Sequence, residues 1–415
     1  SFYTKNNFSF FCIGKVMSKK YQIFLTCGFV VTAANAFAET NYAELQKQVI
    51  ASDAVLNSLQ QSEQAYEINQ KFAGKLNNPT FNVELDNLGN SKLKDLDGPT
   101  ALLGLSQEIP LSNKLSLRKQ VAHFQGDRNQ FEIAKRQAEL KADLRICMAN
   151  WYVATQRAEV YSTESKLNAR QANVLSGRLK FGRVIPSDAQ LSAALSSESK
   201  LRYQNEVKKG QFQKNLCSKF TSNLPSNALE VPLSFNFTDK ISLAEQEAIL
   251  NSQLKKTQFE LARKEAIPDI TLGVGVKNYQ ETNDKVFQVS TSIPLNIFNR
   301  NKGNIAIAQA EQMKAETQSV LVSRNSKIEL ENKSIEVSNL IDVIHQYDQT
   351  VLPATNESLR IAEMGYQAGK NSLLEFNSIK QIWLDKHLAR FDLWLALQTE
   401  IAEVERNYIT HLDQE

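Results

Sequence analysis

Sixty-seven consecutive residues, Lys114 to Lys180, contain no proline and only two glycines, Gly126 and Gly177. Within this stretch Leu140, Leu144, Cys147, Trp151, Ala154 and Ala158 step alternately by four and three residues. That is the seam of a coiled coil, narrower than the apolar face of a globular helix. At 1.5 Å per residue such a helix is about 100 Å long, and no compact domain of a 415-residue chain accommodates it. The spacing predicts an elongated, mainly helical molecule. Composition agrees, because 15 Gly and 9 Pro are under half the usual share of about 12% and leave few turns.

The pattern occurs twice. Asn78-Pro79 opens an alternating segment, Ile109-Pro110-Leu111 closes its partner, and Gly182-Arg183 is followed by Asp188. The second half repeats the order with Pro268-Asp269, Ile293-Pro294-Leu295, and Gly369-Lys370 followed by Glu375. Three landmarks at nearly constant offset imply a tandem duplication. The expected units are 39–222 and 241–415, joined by a linker at 223–240 that bulges at mid-height.

Each unit reads the same way. Asn41 to Asn77 has helical spacing. Phe81, Val83 and Leu85 then alternate with Asn82, Glu84 and Asp86, and Leu103, Leu105 and Ile109 with Gly104, Ser106 and Glu108. This predicts a hairpin over 79–110 with one apolar and one polar face. The second copy, 268–294, alternates Ile270, Leu272, Val274 and Val276 with Thr271, Gly273, Gly275 and Lys277, then Phe287, Val289 and Ile293 with Gln288, Ser290 and Ser292. Long helices follow at 114–180 and 300–364, turn at Gly182 and Gly369, and return over 187–222 and 371–411, a further helix spanning 241–266.

The N-terminal segment 1–38 reads as removable. Met17 is followed by Ser18, Lys19 and Lys20, an apolar run from Tyr21 to Ala34, and Ala36-Phe37-Ala38 ahead of a cleavage before Glu39. Met17 is the expected start, and Cys27 is a poor lipid acceptor. The formal charge of +3 comes from lysines in this segment; the remainder holds 44 basic against 45 acidic residues, interspersed. No basic patch for nucleic acid is expected.

Four strands with one apolar face cannot close a barrel, which needs about eight, and an exposed apolar face with open edges is untenable in water. Three chains would pool twelve strands around a lumen lined by Asn82, Glu84, Asp86, Glu108, Thr271, Lys277, Gln288 and Ser290, with lipid outside. Strands of about ten residues suit a tilted crossing.

With this order of elements, and with Glu108-Ile109-Pro110-Leu111, Ile293-Pro294-Leu295 and the turn from Gly365 to Glu375, the sequence resembles the TolC-like outer-membrane efflux factors. Within them it is similar to the heavy-metal branch of CzcC and CusC. The resemblance implies a homotrimer, a helical α-barrel continuing a 12-stranded β-barrel, location in the outer membrane and periplasm, and no enzymatic activity or cofactor. It also implies a periplasmic adaptor and an inner-membrane pump of the proton-driven RND type. By position, Gly182, Gly369, Arg183 and Lys370 are expected at adaptor-docking tips and Glu375 in a ring at the closed entrance. Three such carboxylates near an axis would repel one another and favour cations or protonation. Glu375 also reads simply as a first-turn acid favoured by the helix dipole, as does Asp188. Ser378 stands where the family often has a further carboxylate. A duct for organic compounds and a periplasmic coiled-coil adaptor or scaffold are the competing readings.

Catalytic chemistry finds no support in the sequence. His123, His345, His387 and His411 are isolated, without metal-cage spacing. Cys147 and Cys217 lie at equal distances in sequence either side of Gly182, and so at equal height on adjacent helices. Because packed helices keep their axes well apart, two buried thiols are the expectation over a disulfide. Trp151, Trp383 and Trp394 are expected to pack, and Phe81, Phe287 and Tyr279 to join an aromatic girdle.

Overall fold

The computed structural model describes residues 42–88, 98–233, 235–238 and 240–410. The chain divides into Ser1–Glu39 and Thr40–Glu415, and the fold below is that of the second unit. The expectations for Met17, Cys27, the cleavage before Glu39 and His411 lie outside the described residues.

Two helices come first, α1 (Tyr42–Ser52) and α2 (Ala54–Ala73), where the periodicity predicts one. The break is Asp53, whose backbone is extended (φ −71°, ψ 120°) and whose carboxylate accepts from the Leu56 N–H at 2.8 Å. Aspartate competes for backbone donors and so favours a cap over a helix interior. Strands β1 (Thr80–Asp86) and β2 (Thr100–Ile109) follow, then α3 (Lys114–Lys180) and α4 (Pro186–Cys217). After the linker come β3 (Lys240–Ser242), α5 (Leu243–Glu265), β4 (Ile270–Tyr279) and β5 (Asp284–Ser292). The run α6 (Lys302–Gln346), a π-helical turn (Tyr347–Val351) and α7 (Leu352–Gln367) leads to α8 (Leu373–Asn407) and β6 (Tyr408–Thr410).

The 67-residue α3 spans the predicted residues, and all six seam residues are buried. The matching second run is not regular. Its π-turn lies just before Pro353, which lacks an N–H and whose ring would strike the carbonyl four residues earlier. The periodicity also misses β3 and β6, a three-residue antiparallel pair joining Ile241 to Ile409.

The main core lies where α1, α3, α6, α8 and the linker meet. Leu144, Met148, Trp394, Leu397 and Ile401 are fully buried there. The linker, expected to bulge outward, instead drives Val231 into this core with Phe235 and Phe237 packed beside it. Arg145 on α3 fixes it there. Its guanidinium makes a two-pronged pair with Glu405 at 2.7 and 2.8 Å and donates to Gln398 Oε1 at 2.6 Å and to the Pro232 carbonyl at 3.3 Å. A second cluster nearer the turns joins Leu167, Leu359, Tyr366, Phe376 and Trp383. Trp151, Trp383 and Trp394 thus pack as expected.

Cys147 and Cys217 are not free thiols. They form a disulfide with Cα atoms 5.7 Å apart. Equal height was legible; facing was not. Gly210 lies against Ala154 and Thr155, and small residues at a crossing let helix backbones approach more closely than larger side chains allow.

Candidate functional site: the two-faced sheet and the paired helical tips

The four longer strands form one antiparallel sheet in the order β1-β2-β4-β5. The register sets Asn82 against Gly104, Glu84 against Leu102, Glu108 against Thr271, Leu102 against Lys277, and Gly275 against Gln288. Because side chains alternate along a strand and align across it, these pairings place Asn82, Glu84, Asp86, Glu108, Thr271, Lys277, Gln288 and Ser290 on one face. On it, Asn82 donates to Ser106 Oγ at 2.8 Å and Lys277 lies 3.9 Å from Asp86. The other face carries Phe81, Val83, Leu85, Leu103, Leu105, Leu272, Val274, Val276, Phe287 and Val289. These apolar residues are exposed in the single chain, Phe287 at 69% and Val289 at 67%. Tyr279 falls on the polar face, beside Lys277, which removes it from the expected girdle; Phe81 and Phe287 stand on the apolar one. No helix of the described residues is long and apolar enough to cross a membrane.

At the far end of the long helices, both turns use one device. Gly182 (φ 67°) and Gly369 (φ 73°) take the left-handed conformation that glycine adopts without a Cβ penalty. The Arg183 N–H returns to the Arg178 carbonyl at 3.0 Å and the Lys370 N–H to the Gly365 carbonyl at 2.8 Å. These are paired Schellman closures, which satisfy the last helical carbonyls. Pro186 begins α4. Ser372 caps α8: its hydroxyl accepts from the Glu375 N–H at 3.2 Å, while Glu375 Oε2 accepts from the Ser372 N–H at 2.8 Å. Glu375 therefore serves as the reciprocal member of a capping box.

The two tips touch. Arg178 donates to the Gln367 carbonyl at 3.4 Å and lies 5.9 Å over the Tyr366 ring. Between them is a cleft of about 500 Å³ lined by Gly182, Arg183, Ile185, Asp188, Tyr366 and Leu373. Phe181, Ile185 and Leu374 are largely exposed around it. The sequence reading missed these apolar knobs, although they adjoin the turn residues it singled out. Among the described residues no group of three or more His, Cys, Asp or Glu is arranged to hold a metal ion. His387 sits beside Trp383, with Asn356 Oδ1 3.0 Å from its Nε2, and burial lowers its pKa.

The outer membrane efflux protein family matches residues 242–405. The chain is similar to the TolC-like outer-membrane efflux channels, by sequence over its second half and by fold over most of its length. The cobalt-zinc-cadmium resistance protein CzcC of Cupriavidus metallidurans is 24% identical over 308 residues, covering 71% of this chain and 73% of that protein. The outer membrane protein VceC of Vibrio cholerae superposes with a TM-score of 0.70 at 14% identity, over 88% of this chain and 96% of that one. CusC does so at 0.70 and 14%, over 89% and 91%. The two structural likenesses speak to fold alone. The match over 242–405 speaks for an outer-membrane efflux protein and against the adaptor or scaffold reading.

Proposed function

We propose that this efflux channel passes divalent heavy-metal cations outward as a homotrimer, receiving them through a periplasmic adaptor from a proton-driven RND-type pump in the inner membrane. The observation that carries the channel is the sheet: one face mostly apolar and exposed, the other mostly polar, with β1 and β5 each unpaired on one side among the described residues. In water that arrangement is untenable, and in lipid three copies close twelve strands around a wet lumen. A second surface supports self-association. Met313, Val320, Leu321, Ile328 and Ile335 form an exposed apolar stripe at near-heptad spacing on α6, a face suited to a neighbouring chain's helix.

The tips Gly182, Arg183, Gly369 and Lys370, with their apolar knobs, suit an adaptor, and Glu375 is positioned just beyond the second turn for an entrance ring. The metal cargo rests on likeness to CzcC.

In a strain lacking the endogenous gene, this chain should restore resistance to cobalt, zinc or cadmium salts. Restoration against organic toxicants alone would replace the cargo. Material that ran in detergent-free buffer as a monodisperse monomer would remove the channel itself.

A further inference from the structure

The face of α3 that packs on α4 and α8 changes character along its length. From Leu140 to Ala158 it is apolar apart from Arg145, whose charge is met by Glu405 of α8, but from Glu164 to Gln171 it presents Glu164, Asn168 and Gln171 beside Leu167, all buried. Helix α4 adds Ser192 and Ser199, and α8 adds Lys380, each buried as well. The Lys380 ammonium donates to Asn377 Oδ1 at 2.9 Å and to Asn168 Oδ1, and Asn168 donates onward to the Leu195 carbonyl at 3.3 Å.

Glu164 is less well served. It is 5% exposed, and its contact with a cation is a 3.6 Å approach to Arg202, which Glu198 holds at 2.5 Å. Among the described residues, Glu164 Oε2 and Ser192 Oγ meet no hydrogen-bond partner. Glu164 and Lys380 both face this layer and feel each other's charge without closing an ion pair. Two opposite charges taken out of water without close pairing cost more than their attraction returns. An apolar layer here would hold the three helices more tightly.

We infer that this layer is a charge-loaded seam: α8 packs most weakly on the α3–α4 hairpin when Glu164 and Lys380 are both ionised, and more tightly when either is neutral. The seam rests on the packing of these helices and not on the efflux reading above.

The sign follows from burial. Burial raises the Glu164 carboxyl above its ordinary value, so protonation favours the packed state and tightens it as pH falls. Burial pushes Lys380 down to about 8, so the neutral amine tightens the packing above that pH. The loosest window lies between. The other groups facing the layer are Tyr161 and Arg157 on α3 and Arg202, Glu198 and Glu206 on α4. On α7, Glu363 pairs outside it with Arg170 at 3.1 Å.

Hydrogen exchange of the α8 amides 373–388, measured on the full chain in detergent from pH 5 to 9.5 and expressed as protection factors, tests the seam. Protection should be lowest near neutral pH and rise several-fold on either side. Glu164→Gln should remove the acid arm, and Lys380→Arg, which stays charged, the alkaline arm. A flat wild-type profile, or an unchanged profile in both variants, overturns the inference. If a single variant fails to fold, the double variant Glu164→Leu/Lys380→Met decides: a melting temperature above wild type supports the seam, and one below it refutes the charge penalty. A flat profile in a conducting protein sinks the seam alone, whereas a two-armed profile without conductance sinks the channel alone.

Discussion

Asp53 joins two elements with one carboxylate. It caps α2 and makes a fork with Arg136 of α3, Nε to Oδ1 at 3.2 Å and Nη2 to Oδ2 at 2.8 Å. The Arg136 guanidinium holds this carboxyl below its usual range. Its contribution is therefore complete above the unfolded pKa of about 3.9 and is lost as pH falls through the lower folded value. Asp53→Ala should lower stability by about 1–2 kcal/mol, read from thermal melting in detergent, with a shallower decline below about pH 4 than wild type. At Glu375 the capping box and the entrance ring make separable demands. Glu375→Gln keeps an acceptor for the Ser372 N–H but removes the charge, so the melting temperature should hold while cation block of single-channel current weakens. Unchanged block would leave the cap as its whole role. Glu375 was legible as a first-turn acid, whereas Asp53 was read inside one continuous helix. The Arg136 partner of Asp53, on another helix, was not legible either, because nothing local encodes a contact made by folding.

Among the elements, α3 was legible to its ends because its seam repeats every three and four residues over many turns, and a long period averages out local exceptions. The α1–α2 break and the π-turn were not, since each arises at one residue, Asp53 or Pro353, within an otherwise helical run. The linker was misread for a related reason. Its backbone carbonyls at Val231 and Pro232 are received by Gln398 and Arg145, side chains from remote parts of the sequence. The disulfide fastens the end of α4 to α3 beside that site and closes a loop of 70 residues. Replacing Cys147 and Cys217 together with Ala should cost about 2–4 kcal/mol, measured by denaturant unfolding against the oxidised wild type; equal midpoints would show that packing of the α3–α4 hairpin suffices without the bond.

For the whole molecule the decisive surface is the apolar face of the sheet. Val274→Lys, near the middle of β4, should cost about 2–4 kcal/mol if that face meets hydrocarbon, and should deplete the detergent-extracted trimer from the membrane fraction. Ser290→Lys, on the opposite face, should assemble normally and shift the reversal potential toward anions. Normal membrane assembly of the Val274 variant would show that lipid does not cover that face. The exposed α6 stripe makes the same demand for a neighbour from the helical side, so Ile328→Glu should lose assembly as the Val274 variant does.

Periodicity in the sequence determined the long helices, the duplication, the two hairpins and the division of each strand into a wet and a greasy face, because these depend on spacings of two and of three to four residues. Tertiary structure alone decided the pairing of β2 with β4 across the repeats, the burial of the linker, the joining of Cys147 to Cys217 and the charged layer at Glu164 and Lys380. Each of those depends on which side chains from distant segments face one another, a matter of helix rotation and approach that linear spacing leaves open.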